Sequence, residues 1–346
     1  MSTFPEFTVR VDQNPYLPEG GREVHAIVTV EARSAAGGGG PGTTGSAAGR
    51  AAAAEVIIID TSGSMSYRGK MVAAKRAARA AVNVLRDGVR FAVVAGANQP
   101  RMVYPQGERL AEANEATRRS AVQAVSRLEA AGGTAIGSWL RLAHRLFTGY
   151  DDAVKHAILL TDGKNQHESD EELDAALREC AGSFQCDARG VGTDWDVAEV
   201  RKITSTLLGG FLDVPDPADL EADFRAMTQA AMSKEIADVW LRVWTPRQAT
   251  LRFLKQMVPT VEDLTGRRVE SGRQTGDYPL GAWGDESREY HLCVEVEPGD
   301  VGRQMRAAWV KLVAGDGVLG SGNVLAEWTD DEALATQMNE RVSMHT

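Results

Sequence analysis

Apolar residues fall into three successive patterns along the 346-residue chain. Near the start, Phe7-Val9-Val11 and Val24-Ala26-Val28-Val30 alternate with mostly polar neighbours at period two, which predicts two half-buried strands. Asn14-Pro15 and Pro18-Glu19-Gly20-Gly21 between them are turn formers. Two strands do not make a stable sheet, so residues 1–33 must pair with strands elsewhere. From residue 55 to about 235, strand and helix signals alternate. The short continuous runs 56–59, 91–94 and 157–160 suit strands buried on both faces, and 186–191 and 211–214 are weaker strand candidates. Met71, Ala74, Ala78, Ala81, Val82 and Leu85 recur at helical spacing, as do Ile136, Trp139, Leu140, Ala143, Leu146 and Phe147. Leu220, Phe224, Met227 and Ala231 predict a last helix over about residues 217–235, opened by Asp216-Pro217. Beyond it, Val239-Leu241-Val243, Leu251-Phe253, Tyr290-Leu292-Val294-Val296 and Ala308-Val310-Leu312 return to strand patterns.

Alternating strands and helices argue for a doubly wound, mostly parallel α/β sheet over residues 55–235. Residues 34–54, reading SAAGGGGPGTTGSAAGRAAAA, are too poor in large apolar side chains to fold alone and are expected to form a flexible linker. The economical arrangement inserts the α/β domain into a β-sandwich made of the N-terminal hairpin (1–33) and the segment 236–330, with 331–346 as a tail. Five of the seven tryptophans, Trp240, Trp244, Trp283, Trp309 and Trp328, lie in that segment, where core packing is their expected role.

Composition narrows the function classes. Thirty-eight Lys and Arg against 48 Asp and Glu give a net charge of −10, which argues against nucleic acid or an anionic membrane as a partner. No stretch is apolar enough to span a bilayer and the first residues lack a secretory pattern, so a cytoplasmic location is expected. Cys180, Cys186 and Cys293 give no disulfide framework; a labile pair or two metal ligands at Cys180 and Cys186 is the alternative, but their spacing matches no common zinc motif, and buried thiols are expected.

Candidate chemistry collects where apolar runs end. The first buried strand closes on Asp60-Thr61-Ser62-Gly63-Ser64-Met65, at the sheet edge where open parallel sheets bind ligands. A second carboxylate, Asp162 in Thr161-Asp162-Gly163, follows the run 157–160, and Gly132-Gly133-Thr134 brings a hydroxyl just before a helix. Asp60, Ser62, Ser64, Thr134 and Asp162 thus offer five oxygen-bearing side chains from three loops. Hard oxygen donors suit Mg²⁺, with Mn²⁺ or Ca²⁺ as alternatives, and a six-coordinate ion would keep a position for an outside ligand. Helix capping by Ser62, Ser64 and Thr134 is the competing structural explanation.

These three elements, in this order, resemble the metal-ion-dependent adhesion site of the von Willebrand factor A family, written D-x-S-x-S, then T, then D. The resemblance covers about residues 52–235. It implies a binding module rather than an enzyme: a protein partner supplies an Asp or Glu carboxylate to the metal, and the last helix shifts in response. The sandwich with an inserted domain is similar to stand-alone bacterial members, which implies work beside kinases, phosphatases or stress-response proteins.

Other readings of the same residues are weaker. Gly63 to Lys70, GSMSYRGK, has one residue too many between its glycines for a phosphate loop, and Met71 stands where Ser or Thr would hold Mg²⁺. Lys70 is expected to be an exposed helix residue. A metal-dependent hydrolase would use the same ion, with Asp162 as base and Lys164 or His167 nearby; on a polar loop these two fit better as a rim that selects the partner. Asp194 and Trp195 extend that rim, unless their loop, with Asp196, serves to cap the helix beginning near Val197.

Overall fold

The computed structural model describes residues 5–34, 52–163, 165–192, 196–214, 216–337 and 339–344. Residues 35–51, most of the expected linker, lie outside them. Two compact units are present, one built from residues 1–49 with 238–346 and the other from residues 50–237.

The chain opens with β1 (Glu6–Gln13), β2 (Tyr16–Pro18) and β3 (Glu23–Arg33). The second unit then runs β4 (Ala52–Asp60), α1 (Lys70–Val84), β5 (Arg90–Gly96), β6 (Arg101–Tyr104), β7 (Ala111–Glu112), α2 (Glu115–Ser126) and α3 (Ile136–Phe147). It continues with β8 (Ala153–Thr161), α4 (Asp170–Cys180), β9 (Gln185–Val191), α5 (Val197–Thr206), β10 (Phe211–Val214) and α6 (Leu220–Met232). Its sheet has the order β10-β9-β8-β4-β5-β6, with β7 also on β5. All pairings are parallel except those of β6 and β7 with β5.

Strand β4 shows why a continuous apolar run was needed. Ile57 and Ile59 pack with α1, α2 and α6, whereas Val56 and Ile58 pack with α3, α4 and α5 on the opposite face. Period-two alternation therefore sends large side chains into two cores at once. Residues 52–54, expected in the linker, belong to this strand: Ala52, Ala53 and Ala54 pair with Ala153, Val154 and Lys155 of β8. Their alanines read as linker because small side chains carry little pattern, yet Ala54 is buried. The chain leaves β4 through α1 to reach β5 on one side, while β8 lies on the other. The carboxyl end of β4 is thus a switch point, where the connections diverge and leave a crevice.

The first unit resumes at β11 (Ile236–Trp244) and adds β12 (Ala249–Val258), β13 (Glu262–Asp263), β14 (Val269–Gly272), β15 (Thr275–Trp283), β16 (Glu286–Val296), β17 (Gln304–Ala314) and β18 (Gly317–Thr329). One sheet has the order β1-β3-β16-β12-β13 and the other β14-β15-β11-β17-β18-β2. The pairs β1–β3, β3–β16, β16–β12, β12–β13, β14–β15, β11–β17 and β17–β18 are antiparallel and β18–β2 is parallel. Trp283 and Trp328 are core residues, while Trp240, Trp244 and Trp309 are half-buried. The C-terminal stretch carries two short helices, α7 (Glu332–Ala335) and α8 (Glu340–Ser343). Cys180, Cys186 and Cys293 are free and buried. Among the described residues, no helix is long and apolar enough to cross a membrane.

Candidate metal centre

Asp60 ends β4 with no exposed surface, and its carboxylate organises the loop that follows. The Ser62 amide donates to Asp60 Oδ1 at 2.7 Å and the Thr161 hydroxyl donates to Oδ2 at 2.8 Å. Backbone bonds lock the neighbouring loops together: Thr61 N to Gly96 O at 2.7 Å, Gly63 N to Gly132 O at 2.9 Å, and Ala131 N to Thr61 O at 2.6 Å. Within this frame Ser62 Oγ lies 3.0 Å from Ser64 Oγ, and Ser64 Oγ donates to Asp162 Oδ1 at 2.7 Å. Thr134 Oγ1 joins them from the third loop, since a Cβ built on Gly163 would lie 3.8 Å from it and 3.7 Å from Ser64 Oγ. All five expected oxygen donors therefore converge on one crevice.

Two glycines aim Thr134. Gly132 has a φ of +92°, which L side chains rarely adopt, and a Cβ on Gly133 would overlap the His167 ring. The Gly133 amide donates to Asn98 Oδ1. His167 Nδ1 accepts from the Thr134 amide at 3.2 Å, and the Thr134 carbonyl accepts from the amides of His167 and Gln166 at 2.9 and 3.1 Å. Gly133→Ala should displace His167 and with it Thr134. Titration calorimetry is expected to show divalent-ion affinity weakened about 10–100-fold, as when the support of a metal ligand is lost; unchanged affinity would show that Thr134 is not aimed this way.

The hydroxyls are not helix caps. Helices α1 and α3 have Gly69 and Ala135 at their N-caps, without side-chain capping bonds. The first amides of α3 are instead satisfied from the loop after β8, Ile136 N by Asn165 Oδ1 at 3.2 Å and Gly137 N by Glu168 Oε2 at 2.7 Å.

Lys70 corrects the sequence reading. It is 5% exposed, and its ammonium donates to Asp162 Oδ2 at 2.7 Å. A cation in the first turn of a helix opposes the helix dipole, so this placement depends on the buried carboxylate it faces. The Lys70 side chain, at the first position of α1, points into the loop cluster rather than to solvent.

At the rim, His167 is exposed, while Lys164, Asp194 and Trp195 lie outside the described residues. Asp196 caps α5, accepting from the amides of Ala198 and Glu199 at 2.9 and 3.2 Å. Thr161, Asn98, Asn165 and Glu168 are the supporting residues that sequence reasoning missed. Thr161 had a visible signal, a hydroxyl beside Asp162 at a strand's carboxyl end.

The donor set fits a small hard cation. Adjacent oxygens around an octahedral ion at 2.0–2.1 Å lie roughly 2.9 Å apart, close to the separation of Ser62 Oγ and Ser64 Oγ. Burial raises the Asp60 pKa above its ordinary value and the neighbouring Asp162 charge adds to this, while hydrogen bonds from Ser62 and Thr161 oppose it. A divalent ion would relieve that crowding of negative charge.

Comparison with known proteins identifies the fold family. The solved structure of a von Willebrand factor type A protein from Catenulispora acidiphila is 48% identical and superposes with a TM-score of 0.92; the match covers 98% of this chain and 78% of that one. The chain belongs to the von Willebrand factor type A family. The family model for the von Willebrand factor type A domain matches residues 54–212. The ArnB paralog VWA2 from Sulfolobus acidocaldarius shares the fold at 14% identity, with a TM-score of 0.58 over 99% of this chain and 80% of that one. An uncharacterized Synechocystis protein is 28% identical over 215 residues, 60% of this chain and 49% of that protein. The chain thus spans about half the length of that curated relative. Von Willebrand factor type A domains are metal-binding modules for protein interaction, generally without enzymatic activity.

Proposed function

We propose that this von Willebrand factor type A protein is a metal-dependent binding module or scaffold. Asp60, Ser62, Ser64, Thr134 and Asp162 hold Mg²⁺, with Mn²⁺ or Ca²⁺ as substitutes, and a partner's Asp or Glu carboxylate completes the shell. The observation that carries this reading is the convergence of Ser62 Oγ, Ser64 Oγ and Asp162 Oδ1 in one chain of 3.0 and 2.7 Å contacts beside the buried Asp60. An ion held largely by hydroxyls stays electrophilic toward an incoming anion. A setting in the bacterial cytoplasm, in signalling or stress response beside a kinase or phosphatase, belongs to the same proposal.

Hydrolysis is the less supported use of this site. Both oxygens of Asp162 accept hydrogen bonds, from Ser64 and Lys70, and His167 Nδ1 accepts one from the Thr134 amide. The groups that would serve as a base are engaged in holding the loops.

The test uses Asp60→Ala. Immobilised wild-type chain is expected to capture its partner in Mg²⁺ and release it in EDTA, whereas Asp60→Ala, with its circular dichroism intact, captures none. Capture that survives both EDTA and the substitution would refute the proposal.

A further inference from the structure

A second group of metal-ligating side chains lies in the β-sandwich unit, on residues 23, 25 and 293. Strands β3 and β16 pair antiparallel, with Cys293 opposite His25 and Glu295 opposite Glu23. Alternation along each strand places Glu23, His25, His291 and Cys293 on one face of the sheet. One ligand atom each from Glu23, His25 and Cys293 lies within 4.8 Å of the other two. Glu23 is exposed, His25 half-buried and Cys293 2% exposed, so the group reaches from solvent to the edge of the core.

The geometry suits a tetrahedral ion. Zn–S near 2.3 Å and Zn–N near 2.0–2.1 Å put sulfur and nitrogen ligands roughly 3.6 Å apart. Cys293 Sγ lies 3.8 Å from His25 Nε2. The other ring nitrogen of His25, Nδ1, is 3.1 Å from His291 Nε2. With the proton on His25 Nδ1 and donated to His291, the His25 Nε2 lone pair is directed at the sulfur, and the ring orientation is fixed as in metal-bound histidines. Phe253, opposite Cys293 in the β12–β16 register and half-buried, packs against both rings on the same face, its centroid 6.1 Å from that of His25 and 5.0 Å from that of His291. A thiolate, a carboxylate and an imidazole together carry two negative charges, matched by one divalent ion. Their softness selects Zn²⁺ over the Mg²⁺ that suits the oxygen site.

We propose that Glu23, His25 and Cys293 form a zinc-type transition-metal site, with His291 as the residue that positions His25 and with water in the fourth place. An S–H···N hydrogen bond from Cys293 to the His25–His291 pair is the alternative, and it predicts no metal affinity.

Co²⁺ is the probe, because thiolate coordination gives a charge-transfer absorption that an all-oxygen site cannot produce. The full chain carrying Asp60→Ala, which removes the first site, is expected to take up one equivalent of Co²⁺ with a thiolate charge-transfer band that Zn²⁺ then bleaches. Cys293→Ser should abolish the band, while Cys180→Ser and Cys186→Ser keep it. His25→Gln leaves the thiol in place and should weaken Co²⁺ binding about tenfold or more, which keeps the test decisive if Cys293→Ser misfolds. No band in the folded chain, a band that survives Cys293→Ser, or unchanged affinity in His25→Gln would overturn the proposal.

Discussion

His156→Leu is expected to lower unfolding free energy by about 3–5 kcal/mol, the usual cost of removing one partner from a buried ionic group. His156 sits in β8 between carboxylates of the two neighbouring strands. Its Nδ1 is 2.9 Å from both oxygens of Glu55, and its Nε2 is 3.0 Å from Asp187 Oδ2. Glu55 and His156 are 2% and 4% exposed. Burial alone would keep the imidazole neutral, but the Glu55 charge and the hydrogen bonds to Asp187 and Glu55 outweigh it and push the pKa up to about 10. Burial works against Asp187 as well, yet bonding to His156 holds its carboxyl below the ordinary value. Leucine at 156 would leave two carboxylates facing each other in the sheet.

The pH dependence follows from those directions. Because the folded-state pKa of His156 is raised from 6.5 to about 10, its contribution is complete below about pH 6.5 and fades as pH rises toward 10. Asp187 contributes above its ordinary value of 3.8 and loses that contribution as acid protonates it in the folded state. Urea unfolding across pH 6.5–10 should therefore show stability falling in the wild type and a flatter profile in His156→Leu. Adding Glu55→Met and Asp187→Leu to His156→Leu should recover much of the loss, since apolar replacement of a whole buried ionic group is often neutral. A loss below about 1 kcal/mol for His156→Leu would place it among ordinary surface changes and refute the charge argument.

Lys70→Met carries the second large effect, and it depends on the metal. Without an ion, the substitution strands Asp162 beside Asp60, both without exposed surface, and is expected to cost about 3–5 kcal/mol. Saturating Mg²⁺ should restore much of this, because the ion no longer shares Asp162 with an ammonium. The Mg²⁺-induced rise in Tm is thus expected to be larger in Lys70→Met than in the wild type, with affinity stronger by about tenfold, or about 1.4 kcal/mol. Paired thermal scans in EDTA and in Mg²⁺ measure it. A metal-induced shift equal to or smaller than that of the wild type would show that Lys70 does not compete for the site.

What could be read in the sequence was whatever is local. The strands 56–59, 91–94 and 157–160 announced themselves because burial on both faces forbids polar interruptions, and the loops of the candidate metal centre did so because polarity returns abruptly at Asp60 and Asp162. Lys70 was misread because a lysine on a helix defaults to solvent, and its partner lies 92 residues away. Glu55 and His156 are directly opposed in the β4–β8 register, and His25 and Cys293 in the β3–β16 register. Glu55 and His156 each look like a polar residue just outside an apolar run, and His25 and Cys293 like ordinary positions between the apolar residues of an alternating strand. Pairing register across 101 or 268 residues is a property of the assembled sheet, and no period within either strand encodes it.

The position of β3 between β1 and β16 bears on how the molecule is made. At about 5–20 residues per second, a ribosome that has finished β3 needs roughly 13–50 seconds more to deliver β16. Throughout that interval β3 is an edge strand with unmet amides and carbonyls, while the α/β unit, contiguous in the chain, can fold as it emerges. The first strands therefore wait longest for their permanent neighbours, β3 for β16 and β2 for β18, and a cell starved of chaperones should lose this protein from these strands.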